Sequence, residues 1–165
     1  MSNGTTGMQP PAAALPRVDG HFVVTLLLAG VASTLVWEVW TRFVVLMIAG
    51  KRMSAVPLIE ATFGFQNAAL AEVIHFATGL LAYPAGYLLV VRPLARLLVP
   101  ALPWWLLGLL YGLALFVFAL YVMASWFAGF PPFLGFTGAT VMSLIGHLLF
   151  AVTLAGVVAW RRPRA

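Results

Sequence analysis

The chain has 165 residues, of which 63% are apolar and 8% are charged; it has no cysteine and a formal net charge of +5. Soluble domains carry about 25% charged residues, so this composition indicates a membrane protein, and the missing cysteines exclude disulfides, iron–sulfur clusters and thiolate zinc sites. Because the basic residues lie at the ends of apolar segments, their pattern does not predict a nucleic-acid-binding protein.

Four apolar segments predict four membrane-spanning helices, because a helix needs about 20 apolar residues to cross a bilayer. In chain order these helices are predicted at 22–49, 68–91, 104–127 and 138–160. Residues 1–20 are predicted to form a disordered tail, and residues 21–165 a single transmembrane domain. The predicted fold class is therefore all-α, a four-helix transmembrane bundle.

Capping residues and prolines set the predicted helix boundaries. Asn67 suits the N-cap of the second helix and Thr137 that of the fourth, since their side chains can accept from free backbone N–H groups. Pro93 is predicted to end the second helix, and Pro103 suits the start of the third. The semi-apolar segment 54–65 predicts a short helix lying at the membrane interface.

The distribution of basic residues predicts the orientation in the membrane. Six lie in the N-terminal segment, the second connection and the C-terminal segment: Arg17, Arg92, Arg96, Arg161, Arg162 and Arg164. The first and third connections together hold only Lys51 and Arg52. Since cytoplasmic segments are enriched in Lys and Arg, both termini are predicted to be cytoplasmic.

Five ionisable side chains lie within the predicted spans: Glu38 and Arg42 in the first, Glu72 and His75 in the second, and His147 in the fourth. Such residues are costly in hydrocarbon and are candidates for function. With the termini inside, a rise of about 1.5 Å per residue places all five in the outer half of the bilayer. The sequence therefore predicts a buried polar cluster that includes Glu38, Arg42 and Glu72.

Each of these residues also has a purely structural interpretation. Glu38 and Arg42 are four residues apart with the acid first, which favours an ion pair along one helix. Glu72 lies near a helix N-terminus, where the dipole favours an acid. His75 and His147 can be hydrogen-bonded packing residues. His75 is predicted to face inward with the small residues at 71, 79, 82 and 86.

Two cofactor predictions use His75 and His147. Neutral imidazoles on two helices are typical axial ligands of a single haem b. Alternatively, His75, His147 and Glu72 can bind a divalent metal ion. A di-iron site is not predicted, because such bundles use two Glu-x-x-His pairs and this chain has only residues 72–75.

Three short stretches resemble a group of small four-helix proteins of the bacterial inner membrane: Gly30-Val-Ala-Ser-Thr34, His75-Phe-Ala-Thr-Gly79 and Gly146-His-Leu-Leu149. The resemblance implies a multi-pass protein of the bacterial inner (plasma) membrane. It implies no activity and no cofactor.

The leading functional prediction is a non-enzymatic accessory or interaction subunit, because the connections are short and no hydrolase or phosphate-binding motif occurs. Its predicted partners are the lipid bilayer and other membrane subunits. The alternatives are a single-haem b or metal-binding redox protein that uses His75 and His147, and a small carrier or channel. In the last case Glu38, Arg42 and Glu72 would line the path.

Overall fold

A computed structural model describes residues 18–161 of the chain. Most of the predicted N-terminal tail lies outside the described residues, as do the basic residues Arg17, Arg162 and Arg164. The first helix begins at Gly20, two residues earlier than predicted, because the Asp19 carboxylate caps it and accepts from the Phe22 N–H at 2.9 Å.

The described residues form helices and no strands. We label the helices α1 (Gly20–Ala49), α2 (Val56–Phe63), α3 (Ala68–Leu98), α4 (Trp104–Phe127) and α5 (Gly138–Trp160). Within residues 18–161, α1, α3, α4 and α5 are each long and apolar enough to cross a membrane, as predicted. The predicted short helix in segment 54–65 is also present, as α2.

Contacts at both ends of α1 show that α1 and α5 run antiparallel. Near the start of α1, Thr25 Oγ1 lies 3.4 Å from Nε of Arg161, which follows α5. Near the other end, the Trp40 indole N–H donates to the Met142 carbonyl at 2.8 Å. We call the end of the bundle that carries α2 and residues 128–137 the α2 end.

The prediction that the second span ends at Pro93 is wrong, since α3 continues to Leu98. Proline lacks an N–H, and its ring clashes with the carbonyl four residues earlier. In α3, Pro84 follows a π-helical turn at Thr78–Ala82, and Pro93 follows another at Tyr87–Val91. Each wider turn inserts one extra residue and relieves the clash, so the helix passes both prolines.

The π turn at Thr78–Ala82 also shifts the buried face of α3. Ala71 and Gly79 are buried, as predicted, but Ala82 is exposed, which contradicts the prediction. One extra residue per turn moves the inward positions forward by one. Tyr87 therefore takes an inward place and is only 1% exposed.

Glycines bring the helices into close contact. A Cβ atom on Gly30 would lie 2.1 Å from the Leu80 carbonyl oxygen, so α1 and α3 touch backbone to backbone there. Gly108 and Gly112 of α4 lie against α5, and a Cβ on Gly108 would be 3.0 Å from that of Ala155. The spacing Gly108-x-x-x-Gly112 is typical of membrane helix pairs, and it is a signal that the sequence analysis missed.

Helix capping follows the prediction at α3 but not at α5. The Asn67 side chain accepts from the Leu70 N–H at 3.0 Å, which confirms its predicted cap. Thr137 precedes α5, but its side chain makes no capping hydrogen bond. Residues 133–136, just before Thr137, all have positive φ angles, and Thr140 Oγ1 donates to the Phe133 carbonyl at 2.5 Å.

Candidate functional site

An ion-paired cluster joins α1 to α3. Arg42 Nε donates to Glu38 Oε2, which confirms the predicted pair. Arg42 Nη2 lies 3.8 Å from Glu72 Oε1, and His75 Nε2 lies 3.5 Å from Glu38 Oε1. We call these four residues the polar cluster. It contains the three residues predicted to cluster and adds His75.

The polar cluster lies at the side of the bundle rather than at its centre. The Glu38 side chain is 16% exposed, whereas those of Arg42 and Glu72 are 44% and 41% exposed. Of these three side chains, Glu38 is the least exposed. Its two partners offset the cost of removing a carboxylate from water. The long Arg42 stem can carry its guanidinium toward a more polar region while the stem covers apolar surface.

His147 is buried on α5, with 6% of its surface exposed. Its Nδ1 lies 2.8 Å from the Ser143 carbonyl oxygen, which can only accept, so Nδ1 carries the proton. In the neutral ring Nε2 is then a hydrogen-bond acceptor. Within the described residues nothing donates to Nε2. The Ser143 carbonyl therefore orients the ring and leaves Nε2 available as an acceptor.

The Trp37 indole connects the two histidines predicted to act together. Its ring centroid lies 4.8 Å from that of His147 and 6.1 Å from that of His75. His75 and His147 therefore both lie beside one α1 side chain, although they belong to α3 and α5.

Beside these three rings lies a cavity of about 400 Å³ at the α2 end of the bundle. Residues of α2, including Leu58, form one of its walls. Its other walls include Thr34, Trp37, His75, Thr78, His147 and Phe150. Small-molecule sites are typically apolar cavities of about 300–1,000 Å³ with a few polar groups, and this cavity has that character.

Thr34 lines the cavity, but its hydroxyl oxygen is buried beneath the wall. The residue is 5% exposed, and its Oγ1 has no hydrogen-bond partner. A Cβ on Gly79, which also lines the cavity, would lie 2.8 Å from this oxygen. The hydroxyl is therefore packed against the backbone of α3 and closed off from the cavity.

The predicted metal set His75, His147 and Glu72 does not come together. Among residues 18–161, no three His, Asp or Glu side chains are grouped so that they could hold a metal ion. Glu72 instead faces Arg42. A haem held by both imidazoles would have to share its space with Trp37, which contacts both rings. His147 Nε2 is the ring nitrogen best placed to contact a ligand in the cavity.

Comparisons with protein-family models, with curated proteins and with solved structures find no match to this chain. The function is therefore inferred from the geometry of the site.

Trp37 and Thr78 line the cavity but were not predicted as site residues. One signal could have identified Trp37. Tryptophans in membrane proteins concentrate at helix ends, whereas Trp37 lies twelve residues before the end of α1 at Ala49 and next to Glu38.

Proposed function

We propose that this protein is a non-enzymatic protein of the bacterial inner membrane that acts as an accessory subunit by holding one small aromatic molecule. The proposal includes cytoplasmic termini, the lipid bilayer and other membrane subunits as partners, and no binding of nucleic acid. The observation that carries it is the cavity of about 400 Å³ whose wall combines aromatic side chains with His147.

The lining favours an aromatic occupant. Trp37, Tyr83, Phe118 and Phe150 all line the cavity. Aromatic rings stabilise one another in edge-to-face and offset arrangements by about 0.5–1.5 kcal/mol beyond burial of their area. A flat ring can therefore use contacts that a flexible aliphatic chain cannot.

The hydrogen bonding of His147 supports a binding role rather than a catalytic one. Ser143 Oγ lies 3.3 Å from His147 Nδ1, and a serine beside a histidine is also the pattern of an activated nucleophile. Here, however, Nδ1 directs its proton to the Ser143 carbonyl at 2.8 Å. It is therefore not free to take a proton from the Ser143 hydroxyl.

Binding of 4-fluorophenol to the full-length protein in lipid nanodiscs tests the proposal, with fluorine NMR as the measurement and protein-free nanodiscs as the baseline. We expect saturable binding by the wild-type protein. Ala119 lines the cavity, so Ala119→Phe should fill it and abolish saturable binding. Ala114→Phe is the matched control, because Ala114 lies on the same helix, is exposed and is not on the cavity wall.

Two results would contradict the proposal. One is the absence of saturable binding to the wild-type protein above the nanodisc baseline. The other is equal binding by wild type, Ala119→Phe and Ala114→Phe, which would place the probe on the lipid-facing surface.

A further inference from the structure

Two threonine hydroxyls on the cavity wall already donate their hydrogen atoms to backbone carbonyls. Thr41 Oγ1 donates to the Trp37 carbonyl at 2.9 Å, and Thr78 Oγ1 donates to the Ile74 carbonyl at 2.8 Å. A hydroxyl has one hydrogen and two lone pairs. These two oxygens can therefore offer only acceptor positions to a molecule in the cavity.

The two imidazoles on the cavity wall also offer only an acceptor to a bound molecule. His147 directs its Nδ1 proton to the Ser143 carbonyl, which leaves Nε2 as an acceptor. His75 has Nε2 3.5 Å from the Glu38 carboxylate, a group that only accepts, which leaves Nδ1 as the acceptor of the neutral ring. Four polar groups on the wall therefore accept and do not donate.

The other two threonines of the wall, Thr34 and Thr62, offer no donor to a molecule in the cavity. Their hydroxyl oxygens have no partner, but both are buried beneath the wall. A ligand that only accepts hydrogen bonds would therefore leave the four acceptors described above without a donor.

No formal charge lines the cavity among the described residues, since its wall has no Asp, Glu, Lys or Arg. Glu38 and Arg42 are paired with each other outside the wall. A charged ligand would therefore enter an apolar cavity without a counter-charge, which is costly.

We infer that the ligand is an uncharged phenol, whose hydroxyl donates to His147 Nε2. This inference rests on the proposed function and adds the chemical class of the ligand. The aromatic side chains of the wall favour a ring. The four acceptor groups favour a ligand that donates a hydrogen bond, and the absence of charge on the wall favours a neutral molecule.

The test compares 4-fluorophenol with 4-fluoroanisole, which has the same ring and oxygen but a methyl group in place of the hydroxyl hydrogen. Both are titrated into the full-length protein in nanodiscs at neutral pH and followed by fluorine NMR. We expect 4-fluorophenol to bind about tenfold more tightly, the effect of losing one hydrogen bond to a buried acceptor. The two probes partition unequally into lipid, so the signal of each is first corrected with protein-free nanodiscs. The ratio of the two dissociation constants then reports binding to the protein.

Two variants test whether His147 Nε2 is the acceptor of the phenol hydrogen. His147→Leu should bring the ratio close to one while 4-fluoroanisole still binds, which also reports that the variant is folded. Thr78→Val is the matched control on the cavity wall, because it keeps the side-chain shape and removes an acceptor to which the phenol does not donate. It should leave the ratio unchanged.

The outcomes separate the two proposals. If neither probe binds, the proposed function fails. If both bind equally to the wild-type protein, the cavity is a ligand site but the phenol inference is overturned. A preference that persists unchanged in His147→Leu, or that is lost in Thr78→Val, would overturn the assigned acceptor. If His147→Leu binds neither probe, His147→Phe decides, because it keeps an aromatic ring without the acceptor nitrogen. An unchanged ratio in His147→Phe would overturn the inference.

Discussion

The indole of Trp37 and the imidazole of His147 meet edge to face, with ring centroids 4.8 Å apart and an interplanar angle of 72°. Gly146 makes this contact possible, because a Cβ atom there would lie 2.9 Å from Trp37 Cζ3 and 3.0 Å from Trp40 Cδ1. Two tryptophans of α1 thus pack over one glycine of α5. The Trp37 and His147 rings both line the cavity.

Replacing Gly30 by alanine tests the closest contact between α1 and α3. Alanine favours a helix interior by about 1 kcal/mol over glycine, but its Cβ would lie 2.1 Å from the Leu80 carbonyl oxygen. Because backbone must move, we expect a net loss of about 1–3 kcal/mol in the free energy of unfolding. SDS titration in mixed micelles, followed by circular dichroism, measures it.

Gly156→Ala is the control for that prediction. Gly156 is also inside a helix, but a Cβ there would meet only Trp104 at an ordinary distance of 3.4 Å. We expect this variant to be neutral or more stable by up to about 1 kcal/mol. Equal stability changes in both variants would show that α1 and α3 are not in backbone contact at Gly30.

Replacing Trp40 by phenylalanine removes the hydrogen bond from the indole N–H to the Met142 carbonyl, 2.8 Å long. We expect a loss of about 1 kcal/mol in the free energy of unfolding, the scale of one interhelical hydrogen bond in a membrane bundle. Trp160→Phe removes an indole that is 74% exposed at the end of α5, and it should change stability less. Equal effects would argue against the α1–α5 contact.

Glu38→Gln and Arg42→Gln, alone and together, test the polar cluster. Each single variant leaves the other charge with one partner, because Glu38 also contacts His75 and Arg42 also contacts Glu72. We therefore expect each to lose about 1–2 kcal/mol in the free energy of unfolding, less than for a fully stranded buried charge. The double variant should lose less than the sum of the two. Strict additivity would show that the pair does not interact.

Reporter fusions test the orientation inferred from the basic residues. Fusions after Arg96 and at the C-terminus should report the cytoplasm, and a fusion near Glu60 in α2 should report the outer side. The polar cluster and the cavity would then lie toward the outer side of the membrane. A C-terminal fusion that reports the outer side would reverse this orientation and place the cavity toward the cytoplasm.

The four apolar helices could be predicted from the sequence because their signal is local. Apolar length, flanking charges and the Asn67 cap are all properties of adjacent residues. The continuation of α3 past Pro93 could not be predicted in this way. It depends on π turns that precede Pro84 and Pro93, and a proline without such a turn is a good signal for a helix end.

Part of the candidate site was also predictable. The four-residue spacing of Glu38 and Arg42 predicts their pair, since it places both on one helix face. The meeting of His75 and His147 around Trp37 depends instead on how three helices pack, and on a register that the π turns alter. The hydrogen bonds from the Thr41 and Thr78 hydroxyls to backbone carbonyls can be identified only once backbone and side-chain geometry are known.

Binding in the cavity is tested most directly by the position of 4-iodophenol in crystals of the protein grown in a lipid phase, located by the anomalous scattering of iodine. We expect one iodine site inside the cavity, beside Trp37 and Phe150, with the phenol oxygen within hydrogen-bonding distance of His147 Nε2. Iodine found only on lipid-facing surfaces, with the cavity closed by side chains, would contradict it.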